Sequence, residues 1–325
     1  MDSENGPIRI ELPTKFEMGT VNSYLFMTPV PTLIDCGEKS DECWDALIAG
    51  LSNEGLVISD IERVIITHAH VDHMGMAAKV AEASEAKVWV SDMVEPWAID
   101  LPTMQAERWG TIMRLLTEIT NQEDSPMHQG FAKFFNNYKD YWDPISADAI
   151  QVFSVGDKLL LGDGEWEVMY APGHCINQTC FYNSATQELL AADMLLRIAP
   201  TPVVDADISD PTKRAEGLSV MIKTMKQFME MELSTVYPGH YEPILNGSTL
   251  LEKQLDRIDK RIDQTYELIS DGPKNFFEIL DKMYKGRVSG PAIPMMIGYL
   301  DVLLAKKMIC TSQSPAGMIY SISAN

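Results

Sequence analysis

Thr67-His68-Ala69-His70-Val71-Asp72-His73 is the stretch whose reading decides the fold. Three imidazoles and a carboxylate crowd onto one short segment. Nitrogen and oxygen donors at that density converge on a point only in a tight loop, and the chemistry they share is cation binding. Upstream, Ile61-Glu62-Arg63-Val64-Ile65-Ile66 is β-branched and apolar, the pattern of a buried strand delivering the donors at its C-terminal end. Downstream, Met74-Gly75-Met76-Ala77-Ala78-Lys79-Val80-Ala81 opens a helix. Strand, loop and helix in this order is how α/β proteins place their sites.

Two more of the six histidines have similar settings. His174 follows Ala171-Pro172-Gly173, after the strand-like Trp166-Glu167-Val168-Met169-Tyr170. His240 follows Val236-Tyr237-Pro238-Gly239. In both, Pro-Gly ends a strand and turns the backbone sharply, aiming the next side chain across the sheet edge. Asp193 ends another apolar run, Leu189-Leu190-Ala191-Ala192. His128 has no such setting and reads as structural.

In order and spacing these segments resemble the metallo-β-lactamase fold superfamily, with its His-x-His-x-Asp-His, Gly-His, Asp and second Gly-His. The resemblance implies a four-layer αβ/βα sandwich of the α/β class with a metal-dependent hydrolase site at one edge. It implies a first metal held by His68, His70 and His174, and a second held by Asp72, His73 and His240, with Asp193 bridging both. Leu33-Ile34-Asp35-Cys36-Gly37 also matches, which places Asp35 behind the ligands as an orienting group. Within the superfamily, the segment after Asp193 and the C-terminal region are similar to the hydrolase branch with a winged-helix tail that includes the β-lactamase-like 2 proteins. By that likeness Arg197 is a candidate anion anchor. Tyr241 stands where a small Gly is common and is a candidate substrate contact.

Composition agrees. With 325 residues the chain can bury a large core, and a net charge of −21 repels polyanions, which argues against nucleic acid. No apolar run is long enough to span a membrane, and the first residues lack the basic and apolar regions of a leader. The expectation is a cytoplasmic protein acting on a small molecule, with no membrane partner and a homodimer compatible with its surface. Five cysteines without paired spacing read as free thiols, Cys175 being the one to watch because it follows His174.

Residues 1–247 read as the catalytic domain, interrupted by a helix-like insertion at 94–147 rich in Trp, Phe and Tyr. That insertion is expected to cap the metal edge. A helix is expected from Asp210-Pro211 to about Met231, with Asp210 as its N-cap. Residues 248–325 read as a long linker helix, two further helices and a returning strand, similar to a small winged-helix tail. Its charges nearly balance and its last helix is apolar, so packing is a better reading than DNA binding.

Histidine-rich ligation favours zinc, two ions per chain, with iron or manganese also fitting a carboxylate-bridged pair. The chemistry expected is attack by metal-activated hydroxide on a small ester, thioester, lactone or related acyl bond, with Asp72 handling the proton. The alternatives are a phosphodiesterase or endoribonuclease of the same fold, and a non-catalytic metal-binding scaffold.

Overall fold

Alternation along the strands builds two sheets that are buried on both faces. Val21 and Leu25 of the second strand point to one apolar cluster, whereas Tyr24 and Phe26 point to another. The computed structural model describes residues 6–16, 18–198 and 200–324. The first five residues, on which part of the no-leader expectation rests, and Ala199 after the Asp193 loop lie outside them.

The first sheet has the order β1 (Ile8–Pro13), β2 (Thr20–Phe26), β3 (Thr32–Ile34), β4 (Arg63–Ile65), β5 (Lys87–Ser91) and β6 (Ile150–Phe153). Its first three strands are antiparallel and the rest run parallel to β3. The second sheet comprises β7 (Lys158–Leu161), β8 (Gly164–Tyr170), β9 (Thr179–Asn183), β10 (Glu188–Ala192), β11 (Thr235–Pro238) and β12 (Ile244–Leu245), adjacent in that order. Between the sheets pack Phe26, Ile65, Phe153, Trp166 and Phe181.

Helices close the outer faces. Over the first sheet lie α1 (Asp41–Asn53), the one-turn α2 (Val71–Met74), α3 (Ala77–Ser84) and α4 (Glu95–Ile99). The insertion continues with α5 (Leu101–Thr120) and α6 (Pro126–Tyr138), and α7 (Gly217–Met229) covers the second sheet. The expected αβ/βα sandwich is therefore present, with four layers that follow from burial on both faces of each sheet.

Two local readings change. Asp72 and His73 ride the one-turn α2 rather than a tight loop, and the following helix starts at Ala77. The helix expected from Asp210 begins instead at Gly217. Asp210 caps a turn: its Oδ1 accepts from the backbone N–H and the hydroxyl of Thr212, its carbonyl accepts from Lys213 N, and Ala206 pairs with Arg214 to close the loop. Asp-Pro starts turns as readily as helices, and here the turn is completed first.

The C-terminal region contains α8 (Gly247–Ser270), α9 (Phe276–Tyr284) and α10 (Ala292–Ala305), with a small sheet of β13 (Lys274–Asn275), β15 (Gly317–Ile322) and β14 (Ile309–Ser314). It closes no core of its own. Leu251, Ile258 and Ile262 of α8 and Met296, Leu300 and Leu303 of α10 join one apolar cluster with Leu218, Met221 and Met225 of α7 and with Leu115 and Ile119 of α5. Gly298 lies so close to α7 that a Cβ there would sit 2.5 Å from Leu218. Arg214 adds a bidentate ion pair to Asp301 at 2.6 and 2.7 Å.

Candidate metal centre

Four strand ends deliver the donors to one edge. Beyond β4 come His68 and His70, then α2 with Asp72 and His73; after β8 comes His174, after β10 Asp193, after β11 His240. A register shift in β10 between Leu190 and Ala192, with Ala192 at φ 42°, turns Asp193 toward the cluster. The two sheets are tied here: Thr179 N donates to Thr67 O at 2.9 Å, and Asn22 N to Gly239 O at 2.7 Å. Gly239 is compulsory, because a Cβ would meet Asp193 Oδ1 at 2.2 Å and His73 Cε1 at 2.8 Å.

The donor atoms fall into interlocking sets. His68, His70 and His174 form one, Asp72, His73 and His240 another, and His68, His73 and Asp193 a third, with all atoms of each set within 4.8 Å of one another. Asp193 lies between the first two: its Oδ2 is 3.3 Å from His174 Nε2 and 3.3 Å from His240 Nε2, and its Oδ1 is 3.4 Å from His73 Nε2.

Outer partners set the imidazole tautomers. His174 Nδ1 faces Thr201 O at 3.1 Å and His240 Nδ1 faces Thr20 O at 2.6 Å. A carbonyl only accepts, so both Nδ1 atoms carry hydrogen and both Nε2 atoms turn a lone pair inward. Asp35 Oδ2 accepts from His73 Nδ1 at 2.7 Å and from the Thr67 hydroxyl at 2.8 Å. The Thr67 oxygen, its proton given to Asp35, accepts from His68 Nδ1 at 2.9 Å. Inward-facing lone pairs on His68, His73, His174 and His240 are what a cation requires.

Buried atoms without partners test the same fit. His73 Nε2, Asp193 Oδ1 and His240 Nε2 are buried and make no hydrogen bond among the described residues. Burying carboxylates such as Asp72 and Asp193 costs several kcal/mol each unless positive charge compensates. Burial alone would lower His240, yet Asp193 and Asp72 outweigh it and raise the imidazole to about 10. For His73 the same opposition is won by Asp193, Asp35 and Asp72. Burial pushes Asp72 up, but His73 and His240 bring it down to about 2. On the other side, burial and then His73 hold His68 well below its ordinary value, and burial, His174 and Arg108 do so for His70. One half of the cluster is thus held neutral and the other demands positive charge, which a cation would supply in place of the Nε2 protons of His73 and His240, so the residues fit divalent cations.

The remaining candidates divide. Asp35 occupies the orienting position, at a left-handed φ of 58°. Tyr241 is beside His240, also left-handed at φ 66°, which explains why glycine suits this position; its carbonyl accepts from Asn22 Nδ2 at 2.7 Å. Arg197 is exposed, and among the described residues it makes no hydrogen bond or ion pair to the cluster. Cys175 is buried and its thiol donates to Asn177 Oδ1 rather than joining the donors. His128 bonds Ser125 and Thr117 inside the insertion. Sequence reasoning missed Arg108 of α5, which reaches Cys175 and contributes to the electrostatics of His70. No motif marks it.

The insertion comes near the donors at Arg108, beside Cys175, and its Phe134 packs against Phe16 of the β1–β2 loop at 6.3 Å between ring centroids. Trp97 packs on Trp142 and Trp109 on Phe135, so these four aromatics cover one another.

Two facing sheets with a His/Asp cluster at one end define an α/β metallo-hydrolase. The chain belongs to the metallo-β-lactamase superfamily, whose family model matches residues 19–240 and so spans all seven donors. Over 323 residues, 96% of each chain, it is 24% identical to the probable metallo-hydrolase YqjP of Bacillus subtilis (strain 168). Its fold is similar to that of a metallo-β-lactamase family protein from Thermus thermophilus, with TM-score 0.79 and 20% identity over 98% of both chains. A β-lactamase domain protein from Burkholderia ambifaria gives TM-score 0.77 and 18% identity over 99% of this chain and 94% of that one. No helix among the described residues is long and apolar enough to cross a membrane.

Proposed function

We propose that this protein is a dinuclear hydrolase of small ester, thioester, lactone or related acyl substrates. The observation that supports it most is Asp193 lying between two complete three-donor sets, His68/His70/His174 and Asp72/His73/His240. Neutral imidazoles with carboxylate oxygens suit zinc, and iron or manganese fit a shared carboxylate. Bound there, divalent ions supply Lewis acidity and a water acidified toward neutral pH.

The chain's own residues do the rest. Asp72 stays ionised and supplies an acceptor oxygen for a proton of water, which makes it the proposed catalytic residue. Asp35 and Thr67 hold the ligand rings in register. Approach comes from the His70–His174 side: His174 is 14% exposed, against 0% for His73 and His240. Arg108 of the insertion, stacked on Trp97, reaches Cys175 on this same side. An acidic chain with a capped site favours small acyl compounds over polynucleotides.

The test is turnover by zinc-loaded protein on ester, thioester, lactone, β-lactam and phosphodiester substrates. Hydrolysis of an acyl bond that is lost in Asp72→Ala supports the proposal. Cleavage confined to the phosphodiester, or activity retained in Asp72→Ala, contradicts it.

A further inference from the structure

Arg108 projects from the middle of α5 to the side of the cluster where His70 and His174 are accessible. Its guanidinium lies 4.1 Å from the Trp97 ring centroid, its Nε donates to Asp205 Oδ2 at 2.5 Å, and its Nη2 lies 3.7 Å from Cys175 Sγ, one residue from His174. Asp205 is itself fixed, since its Oδ1 accepts from Ala206 N and its carbonyl accepts from Ala215 N. Three contacts therefore hold the Arg108 fork in one orientation, which removes most of the entropy a free arginine loses on binding.

Those contacts use the ring face, Nε and one N–H of Nη2. Nη1 makes no hydrogen bond among the described residues, although the side chain is only 19% exposed. A residue that served only to pin α5 to the Asp205 loop would be complete with Nε and the stack. The outer edge, Nη1 and Nη2, is the geometry that takes both oxygens of a carboxylate.

We propose that Arg108 is a specificity-determining residue of this site, binding a carboxylate carried by the substrate some atoms away from the bond that is cleaved. The inference rests on the hydrolase reading and narrows it to anionic acyl substrates. It also moves the anion anchor from the exposed Arg197 to a buried guanidinium on the insertion, giving the cap a chemical role.

Binding to the zinc-loaded protein tests it without turnover. Calorimetry compares succinate, glutarate and adipate with butyrate, which has a single carboxylate for the cations and none for Arg108. At least one dicarboxylate is expected to bind about 10- to 100-fold more tightly than butyrate, the range for a charge-assisted pair. Arg108→Gln is expected to collapse that ratio toward one, while Arg108→Lys keeps part of it, and both are checked for unchanged zinc content. Should Arg108→Gln not fold, Arg108→Lys decides through the size of its loss. The proposal is overturned by a wild-type protein with no preference, by a ratio that survives substitution, or by equal loss of both ligands. Absence of turnover on every acyl substrate sinks the hydrolase reading alone, and a lost preference with intact hydrolysis cannot arise from its failure.

Discussion

Asp35 Oδ2 accepts a hydrogen bond from His73 Nδ1 at 2.7 Å, while Asp35 Oδ1 accepts from Thr67 N at 2.9 Å. One buried carboxylate thus fixes both a ligand ring and the start of the ligand loop. Asp35→Ala is expected to weaken metal affinity about 10- to 100-fold, the usual cost of losing an outer partner of a ligating histidine. Competition with a chromogenic chelator measures this. Unchanged affinity would show that His73 is oriented by packing alone.

Gly239→Ala drives a methyl group toward Asp193 Oδ1 and His73 Cε1. Neither neighbour is the loose end of a flexible chain, so both must shift. The expected outcome is loss of at least one bound ion and a destabilisation of about 1–3 kcal/mol, typical of overpacking. Metal analysis and thermal unfolding report the two effects, and a variant with full metal content and wild-type Tm would contradict the packing described.

Glu38 offers a pH test outside the ligand set. It is buried, Oε2 accepts from Lys15 N at 3.1 Å and Oε1 has no hydrogen-bond partner among the described residues. Burial raises its pKa above 4.5 despite the Lys15 N–H. The folded state then keeps a proton that the unfolded chain releases, so Glu38 costs nothing below pH 4.5 and lowers stability as pH rises through the folded value. Glu38→Gln removes this titration. Urea unfolding should therefore show the variant gaining on wild type as pH increases from acid to neutral, whereas parallel curves would argue against a buried carboxylic acid.

The seven donors are legible in the sequence because metal ligation leaves dense local signals: the cluster at 68–73, two Pro-Gly-His turns and an Asp at a strand end. The sandwich follows from strands apolar on both faces. Asp210 misleads because its short side chain caps a turn by the same hydrogen bonds that would cap a helix. The apolar face of α8 is visible, but a stripe of Leu and Ile does not name its partner, so its shared core with α7 and α5 is not. Arg108 is invisible for a similar reason. A single arginine in an amphipathic helix acquires meaning only when the helix is placed over the cluster, and that placement depends on long-range contacts such as Arg108–Asp205.

Metal analysis of the purified protein beside Asp193→Ala tests the central claim most directly. The arrangement of two donor sets around one carboxylate predicts roughly two divalent ions per chain in the wild type, as in two-metal hydrolytic sites. It predicts a clear loss of metal in Asp193→Ala, with hydrolysis lost in parallel. A wild-type protein that takes up no stoichiometric metal when zinc, iron or manganese is supplied, or an Asp193→Ala variant that keeps both ions, would contradict it.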